Sequence, residues 1–307
     1  MRILVLGAAA GGGFPQWNCN CANCRRARAG DPAALPRTQS SLAVSADGER
    51  WTLFNASPDL RQQIAANPAL HPKKGGRDSP IAAVVLTSAD IDHVAGLLTM
   101  RESQPFSLYA AERVQAALRG NTIFKALSDV VARRPLALGA ATELMDREGK
   151  PLGLRLATFD VPGKVALYLE DAAAGPGFGT QAGDTVGIEI ATEKGARVYY
   201  IPACAQFPPA LAERLRRAKL VLFDGTLWDD GEMVAAGLGK KSGRRMGHMS
   251  LSGPGGTIAA FAGLDVERKV FVHINNTNPV LLADSPERAA AEKAGWEVAF
   301  DGMEIVL

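Results

Sequence analysis

Short apolar runs alternate with polar segments along this chain, and their lengths predict an α/β protein. Three runs are rich in valine, isoleucine, leucine and phenylalanine, as strands buried on both faces are; they span residues 81–86, 220–223 and 269–276. Apolar residues at helical spacing predict helices at residues 60–66, 111–119, 209–217, 257–264 and 285–294. This alternation of strands and helices is typical of a layered α/β domain.

Segments in which apolar and polar residues alternate predict further strands. Three pairs of such segments predict hairpins, at residues 40–46 with 51–55, 186–192 with 197–201, and 296–300 with 304–307. Two more strands, at residues 153–159 and 164–169, are predicted on either side of Val161-Pro162-Gly163. We expect residues 1–307 to form one α/β domain with two sheets.

Acidic and histidine side chains stand where the three buried runs end. Asp90, Asp92 and His93 follow the first run, Asp224 closes the second, and His273 lies in the third. Loops at the carboxyl ends of buried strands commonly carry catalytic residues. For Asp224 the structural alternative is an ordinary turn aspartate, and for His273 it is a histidine buried in the core. The recurrence of such residues at three strand ends favours a shared metal site.

Cys19, Cys21 and Cys24 form a C-x-C-x-x-C run that is typical of a structural zinc site. Three thiols buried in a loop are the alternative. Cys204 is the only other cysteine, so disulfides cannot pair the cluster, and a cytoplasmic protein with a bound metal fits better. The local sequence does not reveal the fourth ligand.

A basic loop at residues 239–248 contains Lys240, Lys241, Arg244 and Arg245 and ends at His248. Such a loop is either solvated or binds a carboxylate or phosphate group. A helix is predicted to begin directly after it, at residues 249–252.

The overall composition excludes several classes of partner. The net charge is only +2 and 47% of the residues are hydrophobic, so no global field favours nucleic acid. No apolar run approaches the roughly 20 residues of a membrane span. The glycine-rich segment at residues 7–13 lacks the G-x-G-x-x-G spacing of dinucleotide loops, and we expect it to line a pocket instead.

The turn T-x-x-D-x-D-H at residues 87–93, followed by V-A-G-L, resembles the metallo-β-lactamase superfamily, in which the turn reads H-x-H-x-D-H. The resemblance implies an αββα sandwich of two mixed β-sheets with outer helices. It places Asp92 and His93 on the D-H pair, Asp224 on a metal-bridging aspartate and His273 on the final histidine. His248 is similar to an extra histidine of the tRNA-processing and phosphodiesterase branches.

The cysteine cluster resembles a structural zinc site of the phosphodiesterase branch. There the fourth ligand is a histidine three residues after the final active-site histidine. Asn276 occupies that position here, and Cys204 is the rival.

Four longer motifs, at residues 11–19, 37–41, 55–59 and 273–279, are similar to the family of B proteins of pyrroloquinoline quinone (PQQ) biosynthesis. The resemblance implies hydroxylation of the tyrosine ring in a small acidic substrate, a Glu–Tyr unit cut from a precursor peptide, with O₂ as co-substrate. The basic loop would bind the carboxylates of this substrate. His248 would shuttle a proton or hydrogen-bond the phenol, and Asp90 would orient a ligand or a water molecule.

Departures from the superfamily pattern bear on the metal. Ser88 and Asp90 occupy the H-x-H positions and Lys164 the position of a third histidine, so a first metal site should be empty or weak. Asp92, His93 and His273 remain, with Asp224 at the bridging position. Two imidazoles and one carboxylate are typical of non-haem Fe(II) oxygenases, although the same residues suit zinc.

Three functions therefore compete: an iron-dependent hydroxylase, a metal-dependent hydrolase of phosphodiester, ester or lactam bonds, and a non-catalytic carrier that would transport PQQ or its precursor. The replaced histidines argue against the hydrolase, and the retained ligands against the carrier. A homodimer is one expectation for an oligomeric state that the sequence leaves open.

Overall fold

The computed structural model describes residues 1–175 and 177–307. Its strands are β1 (Arg2–Gly7), β2 (Ser41–Ser45), β3 (Trp51–Phe54), β4 (Ile81–Val85), β5 (Phe106–Ala111), β6 (Val131–Leu136), β7 (Ala141–Met145), β8 (Pro151–Asp160), β9 (Val186–Ala191), β10 (Arg197–Ile201), β11 (Leu220–Asp224), β12 (Arg268–Val272), β13 (Trp296–Val298) and β14 (Glu304–Val306). Its helices are α1 (Ala22–Arg28), α2 (Leu60–Ala66), α3 (Ile91–Val94), α4 (Glu112–Gly120), α5 (Pro209–Leu215), α6 (Glu232–Ala235), α7 (Thr257–Ala260) and α8 (Pro286–Lys293). Short 3₁₀ helices span Pro68–Leu70, Ala95–Arg101, Thr122–Leu127, Leu167–Leu169, Ala172–Ala174, Arg244–Met246 and Pro279–Leu281.

The strands form two mixed sheets. Their orders are β14-β1-β2-β3-β4-β5-β6 and β13-β12-β11-β10-β9-β8-β7. Strands β3 to β6 are parallel to one another, and so are β10 to β13. Within each group the carboxyl ends meet at one edge of the sheet. The predicted architecture of two mixed sheets with helices outside them is confirmed.

The core has three layers, and this explains the continuous apolar runs. In β11, Leu220 and Leu222 face the other sheet, whereas Val221 and Phe223 face the outer helices. Helices α5 and α8 cover the outer face of this sheet, and α2 and α4 cover the other sheet. A strand buried on both faces needs apolar side chains at every position. None of the helices in the described ranges is long and apolar enough to cross a membrane.

Two of the predicted hairpins are confirmed, since β2 pairs with β3 and β9 with β10 in antiparallel fashion. The third is wrong: β13 joins the second sheet beside β12, and β14 joins the first beside β1. The connection crosses between sheets because the Asp301 carboxylate accepts hydrogen bonds from the backbone N–H groups of Ala8 and Thr38 at 3.0 and 2.7 Å.

Three further predictions of local structure are also corrected. Residues 164–169 are not a strand: Val165 and Ala166 are buried, but the next turn is a 3₁₀ helix whose side chains face solvent, with Leu167 61% exposed. Residues 249–252 form no helix, since the Met249 and Leu251 N–H groups donate to carbonyls of neighbouring segments, at Cys204 and Leu227. The α-helix predicted at residues 257–264 is shorter than expected and spans only Thr257–Ala260.

Candidate metal centre

The candidate site lies at the carboxyl ends of the parallel strands of both sheets. His93 belongs to α3, which follows β4, Asp224 ends β11, and His273 follows β12 directly. His93 and His273 line a cavity of about 540 Å³ together with Gly11, Asp92 and Lys164, whereas Asp224 is fully buried and does not line it. The glycine-rich segment thus lines a pocket, as predicted, and chain topology brings together side chains that lie 180 residues apart.

Asp92, His93 and His273 come close enough to share one metal ion. His273 Nε2 lies 3.1 Å from Asp92 Oδ2, and His93 Nε2 lies 3.9 Å from the same oxygen. The three ligand atoms lie within 4.8 Å of one another. His93 Nε2 is buried and has no hydrogen-bond partner among the described residues. A buried nitrogen without a partner is costly, so the arrangement fits a bound cation.

The pKa values of these three groups are shifted by burial and by one another. Burial alone would raise the pKa of Asp92, but the charges of His93 and His273 hold it below its ordinary value. Burial lowers the pKa of His93. Burial also opposes a charge on His273, yet the hydrogen bond and the charge of Asp92 raise its pKa above the ordinary value. These shifts favour a charged Asp92 beside His273 and oppose a charge on His93.

Asp224 belongs to a second cluster, on the other side of His273. Its Oδ2 accepts from the Cys204 N–H at 2.9 Å and lies 2.8 Å from His248 Nδ1. Its Oδ1 accepts from the Thr226 N–H at 3.0 Å and hydroxyl at 2.6 Å. The metal-bridging role of Asp224 stays a prediction, and in this structure the carboxylate orients His248.

Thr226 connects the two histidines of that second cluster. Its hydroxyl lies 2.9 Å from His273 Nδ1 and 3.0 Å from His248 Nδ1, and the two imidazoles stack with centroids 5.0 Å apart. The His248 ring lines the cavity. Since Nδ1 is engaged by Asp224 and Thr226, Nε2 is the nitrogen left for a molecule in the cavity.

His273 has a backbone conformation that non-glycine residues rarely adopt, with φ of +56°. Neighbouring backbone bonds enforce it: the Ile274 N–H donates to Ala8 O at 2.9 Å, and the Asn275 N–H to Thr226 O at 3.0 Å. Strain of this kind is common where a side chain must point into a functional site.

The three clustered cysteines and Asn276 also meet. Asn276 Nδ2 lies 3.1, 3.7 and 3.3 Å from the sulfurs of Cys19, Cys21 and Cys24. Rotation of the amide by half a turn would present Oδ1 to the same point, since the amide orientation follows from the hydrogen-bond network. Cys204 lies outside the cluster, and its sulfur donates to Gln206 O at 3.0 Å instead. The position of Asn276 agrees with the predicted fourth ligand.

Two thiols of the cluster have shifted pKa values in the apo state. Burial raises the pKa of Cys24 to about 11. For Cys19 burial acts in the same direction, but hydrogen bonds from the Cys21 backbone and from neighbouring side chains lower the pKa. A cation among the sulfurs would stabilise all of them as thiolates.

The basic loop divides into two parts. Lys240 and Lys241 line the cavity. Arg245 instead forms a bidentate pair with Glu170, at 3.1 and 2.7 Å, and its guanidinium lies 3.6 Å from the centre of the Phe178 ring. Arg244 borders a separate depression. The prediction that all four cations face the substrate therefore needs correction, since Arg244 and Arg245 do not line the cavity.

Sequence reasoning missed several residues of the cavity wall: Gln16, Leu167, Met233, Met246 and Asn275. Gln16 and Asn275 lie inside the motifs that carried the family resemblance, so their position was available as a signal. The apolar residues gave none, since exposed leucine and methionine are common on any surface.

Comparisons with known proteins agree with this fold. A model of the beta-lactamase superfamily domain matches residues 50–274. Coenzyme PQQ synthesis protein B of Gluconacetobacter diazotrophicus is 57% identical over 304 residues, which cover 99% of this chain and 98% of that protein. A crystal structure of Zn²⁺-bound PqqB from Methylobacterium extorquens is similar, with a TM-score of 0.94, 52% identity and 100% of both chains covered. A diphosphatase of the PhnP family, with a TM-score of 0.68, 20% identity and coverage of 100% of this chain and 97% of that chain, is similar in fold alone.

Proposed function

The chain belongs to the coenzyme PQQ synthesis protein B family of the beta-lactamase superfamily, and from this premise we propose that it is an Fe(II)-dependent hydroxylase. The substrate would be a small acidic precursor that contains a tyrosine ring, of the Glu–Tyr type. The reaction adds one oxygen atom of O₂ to the ring and reduces the other to water, so an external donor must supply two electrons and two protons.

One observation carries the proposal: His93 Nε2 is buried beside Asp92 and His273, at the wall of an open cavity, with no hydrogen-bond partner in the part of the chain that the structure describes. Two imidazoles and one carboxylate form the ligand set of non-haem Fe(II) oxygenases, in which the remaining positions are left to O₂ and substrate. Bound iron would supply the activation of O₂. The absence of histidine at Ser88 and Asp90 argues against the two-metal clamp of phosphodiester hydrolysis.

The residues around the cavity fit such a substrate. Lys240 and Lys241 line it and can pair with carboxylates of the substrate, although Lys241 also lies 3.5 Å from the Glu170 carboxylate that Arg245 holds. Leu167, Met233 and Met246 provide apolar surface against which an aromatic ring can pack. A cavity of about 540 Å³ is within the usual range for small-molecule sites.

His248 is the residue best placed to move a proton. Asp224 holds its Nδ1 at 2.8 Å, and the ring lines the cavity with its other nitrogen free. A histidine fixed by a buried carboxylate can accept the phenol proton and return it. Asp90 lines the same wall, but its carboxylate is paired with Lys164 at 3.1 Å. It would therefore orient neighbouring side chains rather than contact the substrate.

Anaerobic reconstitution tests the proposal. The metal-free protein is loaded with either Fe(II) or Zn(II), mixed with a Glu–Tyr peptide and a reductant, and exposed to O₂, while oxygen uptake and ring hydroxylation are measured. We expect both only with Fe(II), and a loss of both in the His93→Ala variant. The variant Lys194→Gln, which changes a lysine outside this cavity, is the matched control.

The other two functions predict different results. Turnover of an ester or phosphodiester with Zn(II) in the absence of O₂ would replace the hydroxylase with a hydrolase. Binding of substrate without turnover under either metal would indicate a carrier.

A further inference from the structure

A chain of hydrogen bonds links Lys164 to the nitrogen of His93 that points away from the candidate metal. Lys164 Nζ donates to Asp90 Oδ1 at 3.1 Å. The second carboxylate oxygen, Oδ2, accepts from Ser88 Oγ at 3.0 Å. Ser88 Oγ in turn lies 2.8 Å from His93 Nδ1. A cation at the cavity wall is thus connected to a buried imidazole through two side chains.

The donors and acceptors of this chain have one assignment in which Asp90 receives the Ser88 proton. A serine hydroxyl has one proton and two lone pairs. Ser88 gives its proton to Asp90, whose carboxylate can only accept. Its oxygen then accepts from the Asp90 N–H at 3.2 Å and from His93 Nδ1. In this assignment His93 carries its proton on Nδ1, which leaves the Nε2 lone pair toward Asp92 and His273, as a metal ligand requires.

The fold places Lys164 at this position by two separate devices. The Thr185 hydroxyl donates to Lys164 O at 3.0 Å, and Thr185 itself forms an isolated bridge with Ser88. Gly247 lies against the lysine stem with a φ of +90°, and a Cβ there would come within 3.0 Å of Lys164 Cγ. Glycine is thus needed at residue 247 both for its backbone conformation and for the room it leaves.

The Asp90 side chain also takes part in this network instead of capping a helix. Asp90 is the N-cap residue of α3, where an aspartate ordinarily accepts a hydrogen bond from the first turn of the helix. Here its side chain makes no capping hydrogen bond. Its two oxygens are directed to Lys164 and Ser88 instead.

We propose that Lys164 determines how many metal ions the site binds. Asp90 and Asp92 line the same cavity, and an Asp90 carboxylate without a compensating charge would, together with Asp92, attract a second divalent cation. The ammonium group of Lys164 neutralises Asp90 and takes the place of that cation. Ser88 is a positioning residue that fixes the His93 tautomer for the single ion bound with Asp92.

Zinc stoichiometry tests the role of the lysine. The full-length protein and its variants are dialysed to equilibrium against buffered Zn²⁺, and bound zinc is counted by mass spectrometry. We expect Lys164→His, which removes the cation and adds a ligand, to bind one equivalent more than the parent chain, and Lys164→Gln to do so at higher free Zn²⁺. Lys164→Arg keeps the charge and should bind the same number as the parent. The cysteine cluster contributes equally in all variants.

Equal zinc content in Lys164→His and the parent would overturn the proposal, as would an extra equivalent in Lys164→Arg. The positioning role is tested by Ser88→Ala, for which we expect the zinc affinity of the site to fall about 10- to 100-fold. An unchanged affinity would refute that role. Zinc binding needs neither O₂ nor substrate, so these outcomes are independent of whether the proposed hydroxylation is correct.

Discussion

Replacement of Thr226 by valine should weaken both the fold and the metal site, because one buried hydroxyl connects three side chains. The hydroxyl donates to Asp224 Oδ1 at 2.6 Å and lies 2.9 Å from His273 Nδ1. Valine has nearly the same shape but offers no hydrogen bond. The substitution therefore removes the contacts with little change in packing volume.

The expected loss of stability follows from the contacts removed. The lost hydrogen bond to the Asp224 carboxylate contributes about 1.5–3 kcal/mol, and a buried His273 Nδ1 without an acceptor costs about 1–3 kcal/mol. Asp224 Oδ1 keeps the Thr226 N–H as a donor, which limits the damage. We expect the free energy of unfolding of the metal-free protein to fall by about 3–5 kcal/mol.

The effect on metal binding has a separate cause. The threonine oxygen stabilises the His273 tautomer that carries its proton on Nδ1 and presents Nε2 to the metal. Loss of such an outer partner typically lowers metal affinity about 10- to 100-fold. Chemical denaturation of the metal-free protein and zinc competition with a chromophoric chelator measure the two quantities.

Thr226→Ser is the matched control, because it retains the hydroxyl and loses only a methyl group. It should keep most of the affinity for zinc. If valine and serine variants bound zinc equally well, the hydroxyl would not orient His273, and the proposed arrangement of the site would be refuted.

Three further predictions concern the cysteine cluster, the pH dependence and a strained glycine. Cys24→Ser should lower the melting temperature of the zinc-loaded protein and its zinc content by one equivalent, and an unchanged content would refute the site. Zinc affinity of the active site should fall as the pH drops through the pKa of His273, because the proton and the metal compete for Nε2. Burial opposes a charge on His273, but the neighbouring Asp92 carboxylate raises its pKa above the ordinary histidine value. Zinc titrations at a series of pH values should therefore show the loss of affinity beginning above the ordinary histidine range, and an onset below that range would contradict the assignment. Gly247→Ala should destabilise the protein by about 1–2 kcal/mol in denaturation, since the left-handed backbone penalises a Cβ, and should displace Lys164; an unchanged stability would contradict the strain.

The fold was predictable because burial on both faces leaves a simple signature. The runs at residues 81–86 and 220–223 are apolar throughout, and each became a parallel strand between core and helices. The strand at residues 164–169 was predicted from alternating apolar and polar residues, but only Val165 and Ala166 are buried there, and Leu167 to Leu169 face solvent. Sequence patterns reveal that a segment can be buried, whereas tertiary structure decides whether a surface exists to bury it.

The convergence of the candidate ligands was predictable from the ends of strands, and their supporting contacts were not. Asp92, His93 and His273 follow buried strands, and parallel strand ends converge on one edge. The role of Thr226 depends on a contact with a residue 47 positions later, and no local pattern encodes it. The same holds for Arg245, whose partner Glu170 lies 75 residues earlier. Long-range polar pairs of this kind require the folded structure.

Anomalous diffraction at the iron edge, from crystals grown without oxygen in the presence of Fe(II), tests the central claim most directly. The account predicts one iron ion bound by Asp92, His93 and His273 and no second ion beside Asp90. Two ions of similar occupancy, with Asp224 bridging them and Lys164 turned away, would contradict it.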